Sequence, residues 1–154
     1  MGGELSRPAA PDVLHVPSYR FFDHTGDFGV DVCTPTRRGA VAACARAFLD
    51  LLTGAPETVV EREAREVRVT GIDAPATLVA LGNELLYLFE VERFLCARFQ
   101  PTTVEEGVIA GTAHGEPFDP DRHPIARPMK ATTHHDARFA RDGRVFRARL
   151  IFDL

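Results

Sequence analysis

Two observations predict an α+β fold. Apolar alternation of period two recurs near both ends of the chain, and two internal segments repeat apolar residues at helical spacing. The strand-like runs are joined by short turn-forming connections, among them Asp142-Gly143. The expected architecture is a two-layer sandwich, with two helices on one face of a mixed, largely antiparallel sheet. With 154 residues, 45% apolar and 26% charged, the chain suits one domain with a substantial core.

Residues 1–18 hold three prolines, two glycines and no sustained periodicity, and are expected to form a flexible leader before a single domain over 19–154. Tyr19–Asp23 reads as a short aromatic strand and Phe28–Cys33 as an alternating one, with Val30 and Val32 inward. His24-Thr25-Gly26-Asp27 joins them as a tight polar turn. Thr36 is placed to cap a helix whose apolar face is Val41, Cys44, Ala45, Phe48 and Leu52, with Gly54 at its end. After a strand over Glu66–Thr70, Asp73 caps a second helix over Ala74–Glu92, with Pro75 in its first turn. Its stripe of Leu78, Leu81, Leu85, Leu88 and Phe89, widened by Val79 and Leu86, predicts the more buried of the two helices. Four strands follow, over Leu95–Val104, Gly107–His114, Met129–Phe139 and Arg144–Leu154. Between the second and third lies a surface loop, Glu116–Pro128, containing four prolines.

Composition narrows the function. The 18 basic residues are 17 arginines and one lysine, Lys130, and Asn83 is the sole asparagine. A net charge of −4 argues against a free-standing nucleic-acid binder, although it leaves room for a local basic patch. No run approaches the length of a membrane span, so no membrane association is expected. Cys33, Cys44 and Cys96 are odd in number and widely spaced, as in the reduced core of a cytoplasmic protein.

The final hairpin carries the sharpest geometric expectation. A type I′ turn at Asp142-Gly143 places Arg141 opposite Arg144, Phe139 opposite Phe146, Thr133 opposite Phe152 and Ala131 opposite Leu154. Lys130 then lies diagonal to the Thr132–Asp153 pair, within reach of the Asp153 carboxylate. The Leu154 carboxylate lies beside that of Asp153, and adjacent anions call for a cation. Lys130 alone meets that need. So does a hard divalent ion with further oxygen donors, for which Asp27 is a candidate.

Several runs resemble the archease family. They are Phe22-Asp23-His24-Thr25-Gly26-Asp27-Phe28-Gly29-Val30, then Gly115-Glu116-Pro117-Phe118-Asp119-Pro120-Asp121-Arg122-His123-Pro124, Met129-Lys130-Ala131-Thr132-Thr133, and the ending Ile151-Phe152-Asp153-Leu154. Their order matches across residues 19–154. The resemblance implies a cytoplasmic, non-enzymatic accessory protein of tRNA splicing and RNA repair. Its partner is a GTP-dependent RNA ligase of the RtcB type, whose guanylylation and multiple turnover it promotes, and RNA is met through that ligase. It also implies a divalent cation, Ca²⁺ first and Mg²⁺ or Mn²⁺ as alternatives, bound by Asp27, Asp153 and Leu154, and an activation-critical role for Lys130, Asp27 and Asp153. Gly26, Phe28, Ala126-Arg127-Pro128 and His134 depart from the family pattern without removing a ligand.

Two other classes are set beside this one. A metal-dependent phosphodiesterase or other hydrolase would use Asp23, His24, Asp27 and Asp153, although no nucleophile, base and orienting group appear at a supporting spacing. A chaperone for RNA-modifying enzymes would not depend on Lys130. Asp119, Asp121 and His123 read as a solvated turn, and His134-His135-Asp136 cannot converge on a metal from a regular strand. The glycines form no phosphate-binding fingerprint.

Overall fold

A computed structural model describes residues 18–154, apart from Thr25 and the side chain of His24. Apart from Ser18, the expected leader lies outside the described residues. In chain order the elements are β1 (Tyr19–His24), β2 (Asp27–Thr34), α1 (Arg37–Thr53), a 3-10 turn (Pro56–Thr58) and β3 (Glu63–Thr70). They continue with α2 (Ala74–Glu90), β4 (Phe94–Glu105), β5 (Val108–Pro117), β6 (Ala131–Asp142) and β7 (Val145–Asp153).

The expected α+β sandwich is observed, with its strands divided between two sheets. One has the order β1-β2-β7-β6 and the other β3-β5-β4, and every pairing is antiparallel. In the four-stranded sheet Val30, Val32, Ala148, Leu150 and Phe152 alternate inward and are buried. They meet both helices: Cys44 and Phe48 of α1 and Leu78, Leu81 and Leu85 of α2 surround a small internal gap with Leu150 and Phe152. Each helix also packs on the three-stranded sheet, so one core is shared. Among the described residues, the opposite face of the four-stranded sheet carries no helix.

Local chemistry starts both helices. The Thr36 hydroxyl accepts from the Gly39 amide at 2.9 Å, and an Asp73 carboxylate oxygen accepts from the Ala76 amide at 2.8 Å. Each bond satisfies one otherwise unpaired first-turn donor. The burial ranking of the helices is corrected. α1 buries residues all round, from Ala40 to Thr53, whereas α2 leaves Tyr87 46% exposed. Alanines made α1 look weak in apolar pattern, but small side chains let it sit deep between the sheets.

The final hairpin also differs from expectation. Its turn residues are Gly143 and Arg144, with Asp142 opposite Val145. Only Gly143 of the two has positive φ (65°), which is the type II′ requirement rather than type I′. Asp142 stays in β6, where its carboxylate accepts from Arg147 Nε at 2.7 Å. Phe139 consequently pairs with Ala148, not Phe146. Further along, residues 134–137 stand against Leu150 alone, in a bulge where Asp136 has φ 54°. Past it, Thr132 opposes Phe152 and Ala131 opposes Asp153. A turn offset and a bulge thus shift the register twice.

Candidate functional site

β2 begins at Asp27 and β7 ends at Asp153. Their register runs from Thr34 opposite Phe146 to Phe28 opposite Phe152, and its next step sets Asp27 abreast of Asp153. Opposed residues point to one face, with Cβ atoms about 4.5–5.5 Å apart. That face is the one without a helix among the described residues. Both aspartates are half-buried, and neither carboxylate has a hydrogen-bond or ion-pair partner among the described residues. Leu154 follows directly and packs its side chain against the core.

Lys130 reaches this corner through its backbone. Its amide donates to the Asp153 carbonyl at 2.8 Å. The expected side-chain ion pair is not made, since no ammonium–carboxylate contact within 4.0 Å joins the two, and Lys130 is exposed. The corrected register explains this: Thr132 turns inward, 3% exposed, and so cannot share the solvated face of Asp153. Inward, Thr132 lies on Gly82 of α2, where any Cβ would collide with its side chain. Beside it, Asn83 Oδ1 accepts from the Thr132 amide at 2.9 Å and Asn83 Nδ2 donates to its carbonyl at 3.0 Å. A helix side chain thereby takes the place of a neighbouring strand just after Lys130. Sequence reasoning missed this clasp, although the sole asparagine was its signal.

The approach to Lys130 is braced by a buried ionic cluster. Glu116 is 1% exposed and His123 2% exposed, so His123 is not part of a solvated turn. His123 Nδ1 accepts from the Asp119 amide at 2.9 Å, which assigns the hydrogen to Nε2, 2.9 Å from Glu116 Oε2. Burial alone would raise the Glu116 pKa. The Val60 amide at 2.7 Å, Arg122 at 2.5 Å and His123 outweigh it and hold the carboxyl at about 2. Beyond the cluster the Ala126 and Arg127 amides donate to the Leu52 carbonyl, at 2.8 and 3.2 Å. The Arg127 guanidinium lies over the Phe28 ring, 4.9 Å from its centroid. Two departures from the family pattern, Phe28 and Arg127, are thus in contact, next to Asp27.

The remaining candidates do not converge. Asp23 pairs with Phe28 and so points to the face opposite Asp27, which separates two members of the hydrolase set. The bulge does reach His134–Asp136, yet the Asp136 carboxylate is taken by Arg138 and Arg149. Among the described residues no three His, Cys, Asp or Glu side chains are grouped as metal ligands. Cys33 is exposed, whereas burial pushes the Cys44 and Cys96 thiols up to about 12. No helix is long and apolar enough to cross a membrane among the described residues.

The fold and site define a small α+β domain in which two strand-end aspartates lie next to the backbone of a lone lysine. The profile of the Archease protein family (MTH1598/TM1083) matches residues 19–154, and the chain belongs to that family. It is 30% identical over 142 residues to Protein archease of Pyrococcus furiosus, covering 88% of this chain and 98% of that one. Against Protein archease of Methanopyrus kandleri it is 31% identical over 135 residues, covering 86% and 96%. Among solved structures it resembles Methanobacterium thermoautotrophicum protein 1598, with TM-score 0.76, 25% identity, and coverage of 90% of this chain and all of that one. A Thermotoga maritima archease, described as a possible chaperone, shares the fold at TM-score 0.59 and 19% identity, over 86% of this chain and 94% of that one.

Proposed function

We propose that this chain is a cytoplasmic, non-enzymatic activator of a GTP-dependent RNA ligase of the RtcB type, acting in tRNA splicing and RNA repair. It promotes guanylylation of the ligase and its repeated turnover. The observation that carries this reading is the pair of strand-end residues Asp27 and Asp153, with Lys130 tied to Asp153 through its backbone, in a chain that belongs to the archease family.

The donor set fits a hard divalent cation. Asp27 and Asp153 offer carboxylate oxygens with no partner among the described residues, and Leu154 is the third donor. All-oxygen coordination suits Ca²⁺, with Mg²⁺ and Mn²⁺ as alternatives. When bound, such an ion supplies positive charge for phosphate oxygens. The chain's own residues do the rest. Asp27 and Asp153 fix the position, and the Lys130 backbone bond holds the lysine at the same corner. Its ammonium, exposed and without an ion-pair partner among the described residues, can neutralise charge developing on a transferring phosphoryl group.

The test is ligase guanylylation with GTP, with and without this chain. Stimulation that Lys130→Ala and Asp153→Ala abolish, with the fold intact by circular dichroism, supports the reading. An unchanged guanylylation rate on adding the wild-type chain rejects it. Titration of the isolated chain with Ca²⁺ tests the corner separately, and binding that Asp27→Asn leaves unaltered rejects the ligand assignment.

A further inference from the structure

The same face holds a second feature, about 14 Å along β7 from Asp153 at a rise of about 3.4 Å per residue. There a shallow cavity is lined by Arg20, Arg138, Arg147, Arg149 and one carboxylate, Asp31. One row of the register crosses all four strands as Arg20, Asp31, Arg149 and Arg138. Arg149 forms its floor. Its Nε and Nη2 donate to the two Asp31 oxygens at 2.7 and 2.9 Å, and its Nη1 to Asp136 at 3.0 Å. Its guanidinium also lies over the Phe22 ring, 4.5 Å from the centroid. Phe22 in turn sits on Gly29, where a Cβ would strike the ring.

Arg138 and Arg149 are directly opposed like charges, normally a destabilising pair. The β6 bulge resolves this by lifting Asp136 so that one oxygen accepts from Arg138 at 2.7 Å and the other from Arg149. With Asp31 and Asp136 spent on that floor, three guanidiniums keep donors directed outward. Arg20 has no side-chain partner among the described residues. Arg138 and Arg147 are each held along one edge, by Asp136 and Asp142, and are 65% and 61% exposed.

We propose that this arginine cleft binds the phosphodiester backbone of single-stranded RNA, so that the chain itself touches RNA on the face that carries Asp27 and Asp153. The guanidiniums are spread both along β7 and across the sheet. A polymer with a phosphate at every residue meets several of them at once, whereas a single small anion meets one or two. Planar guanidinium forks also match phosphate oxygens in pairs. The net charge of −4 concerns the whole molecule and leaves this local field intact. The inference goes beyond the ligase reading, and it is tested without the ligase.

The probe is a fluorescein-labelled oligouridylate of about 12 nucleotides, titrated with the full chain at several salt concentrations and followed by anisotropy. The expected result is binding at low salt that weakens steeply as salt rises. Arg20→Ala/Arg138→Ala/Arg147→Ala lowers the affinity at least tenfold. It also flattens the log–log salt slope by about 2, since each phosphate neutralised on a single strand adds about 0.7 to that slope. The triple Arg→Lys variant retains most of the salt slope, and circular dichroism verifies that both variants fold. No binding at low salt, or binding that the alanine variant leaves unchanged, overturns the proposal. Displacement of the RNA by polyglutamate at equal charge concentration overturns it in favour of an acidic protein segment.

Discussion

The carboxamide of Asn83 hydrogen-bonds both backbone groups of Thr132, at 2.9 and 3.0 Å, and so ties α2 to the start of β6 two residues beyond Lys130. The only asparagine of the chain thereby fixes the strand that presents its only lysine. Asn83→Ala leaves the Thr132 amide and carbonyl without these partners, at an expected cost of about 1–3 kcal/mol. Urea unfolding measures that loss. Hydrogen exchange shows where it falls, with faster exchange at Lys130–Thr133 and little change in α1.

Gly82 makes the same approach possible from the helix side. Gly82→Ala is favourable for helix propensity by about 1 kcal/mol, yet here its Cβ meets the Thr132 side chain. A net destabilisation of about 1–3 kcal/mol is expected in thermal or urea unfolding. A stabilised variant would show that α2 does not bear on β6 as described.

Glu116 gives the loop before Lys130 a defined pH dependence. Its carboxyl stands at about 2 in the folded chain, against an ordinary 4.5. A lowered pKa contributes stability that is complete above the ordinary value and is lost as pH falls from there toward 2. Glu116→Gln therefore destabilises the chain at pH 7 by about 2–4 kcal/mol, leaving Arg122 and His123 without their charged partner. The gap between the two proteins narrows by up to about 3 kcal/mol as the buffer is taken from pH 5 to pH 2. Urea midpoints across that range measure it.

The three thiols separate by exposure. Cys33 is exposed and reacts with a maleimide in the folded chain, whereas burial holds Cys44 and Cys96 up at about 12. One equivalent of label is expected in native buffer and three in denaturant, counted by intact mass.

Lys130→Arg tests the charge at the acidic corner against its shape. Arg keeps the charge and, since the native bond to Asp153 is a backbone one, the fold. It replaces a compact ammonium by a planar fork, and at least a tenfold loss of ligase stimulation is expected in the guanylylation assay. Full stimulation by this variant would reduce the role of Lys130 to simple positive charge.

Much of this molecule was legible in residues that act locally. Thr36 and Asp73 cap their helices, Val30 and Val32 alternate inward, and the runs around Asp27, Lys130 and Asp153 marked the family across residues 19–154. Caps and alternation depend on neighbours within a few residues, so the chain itself specifies them. What the tertiary structure decided rests on contacts between distant segments. The Gly143-Arg144 turn and the β6 bulge shifted the register, which turned Thr132 inward and left Lys130 tied to Asp153 through the backbone alone. The same bulge set Asp136 between two arginines, and the fold buried His123 against Glu116. A register depends on which turn and bulge lie between two strands, and a buried ion pair on what closes over it. Neither is written in the spacing of residues along one strand.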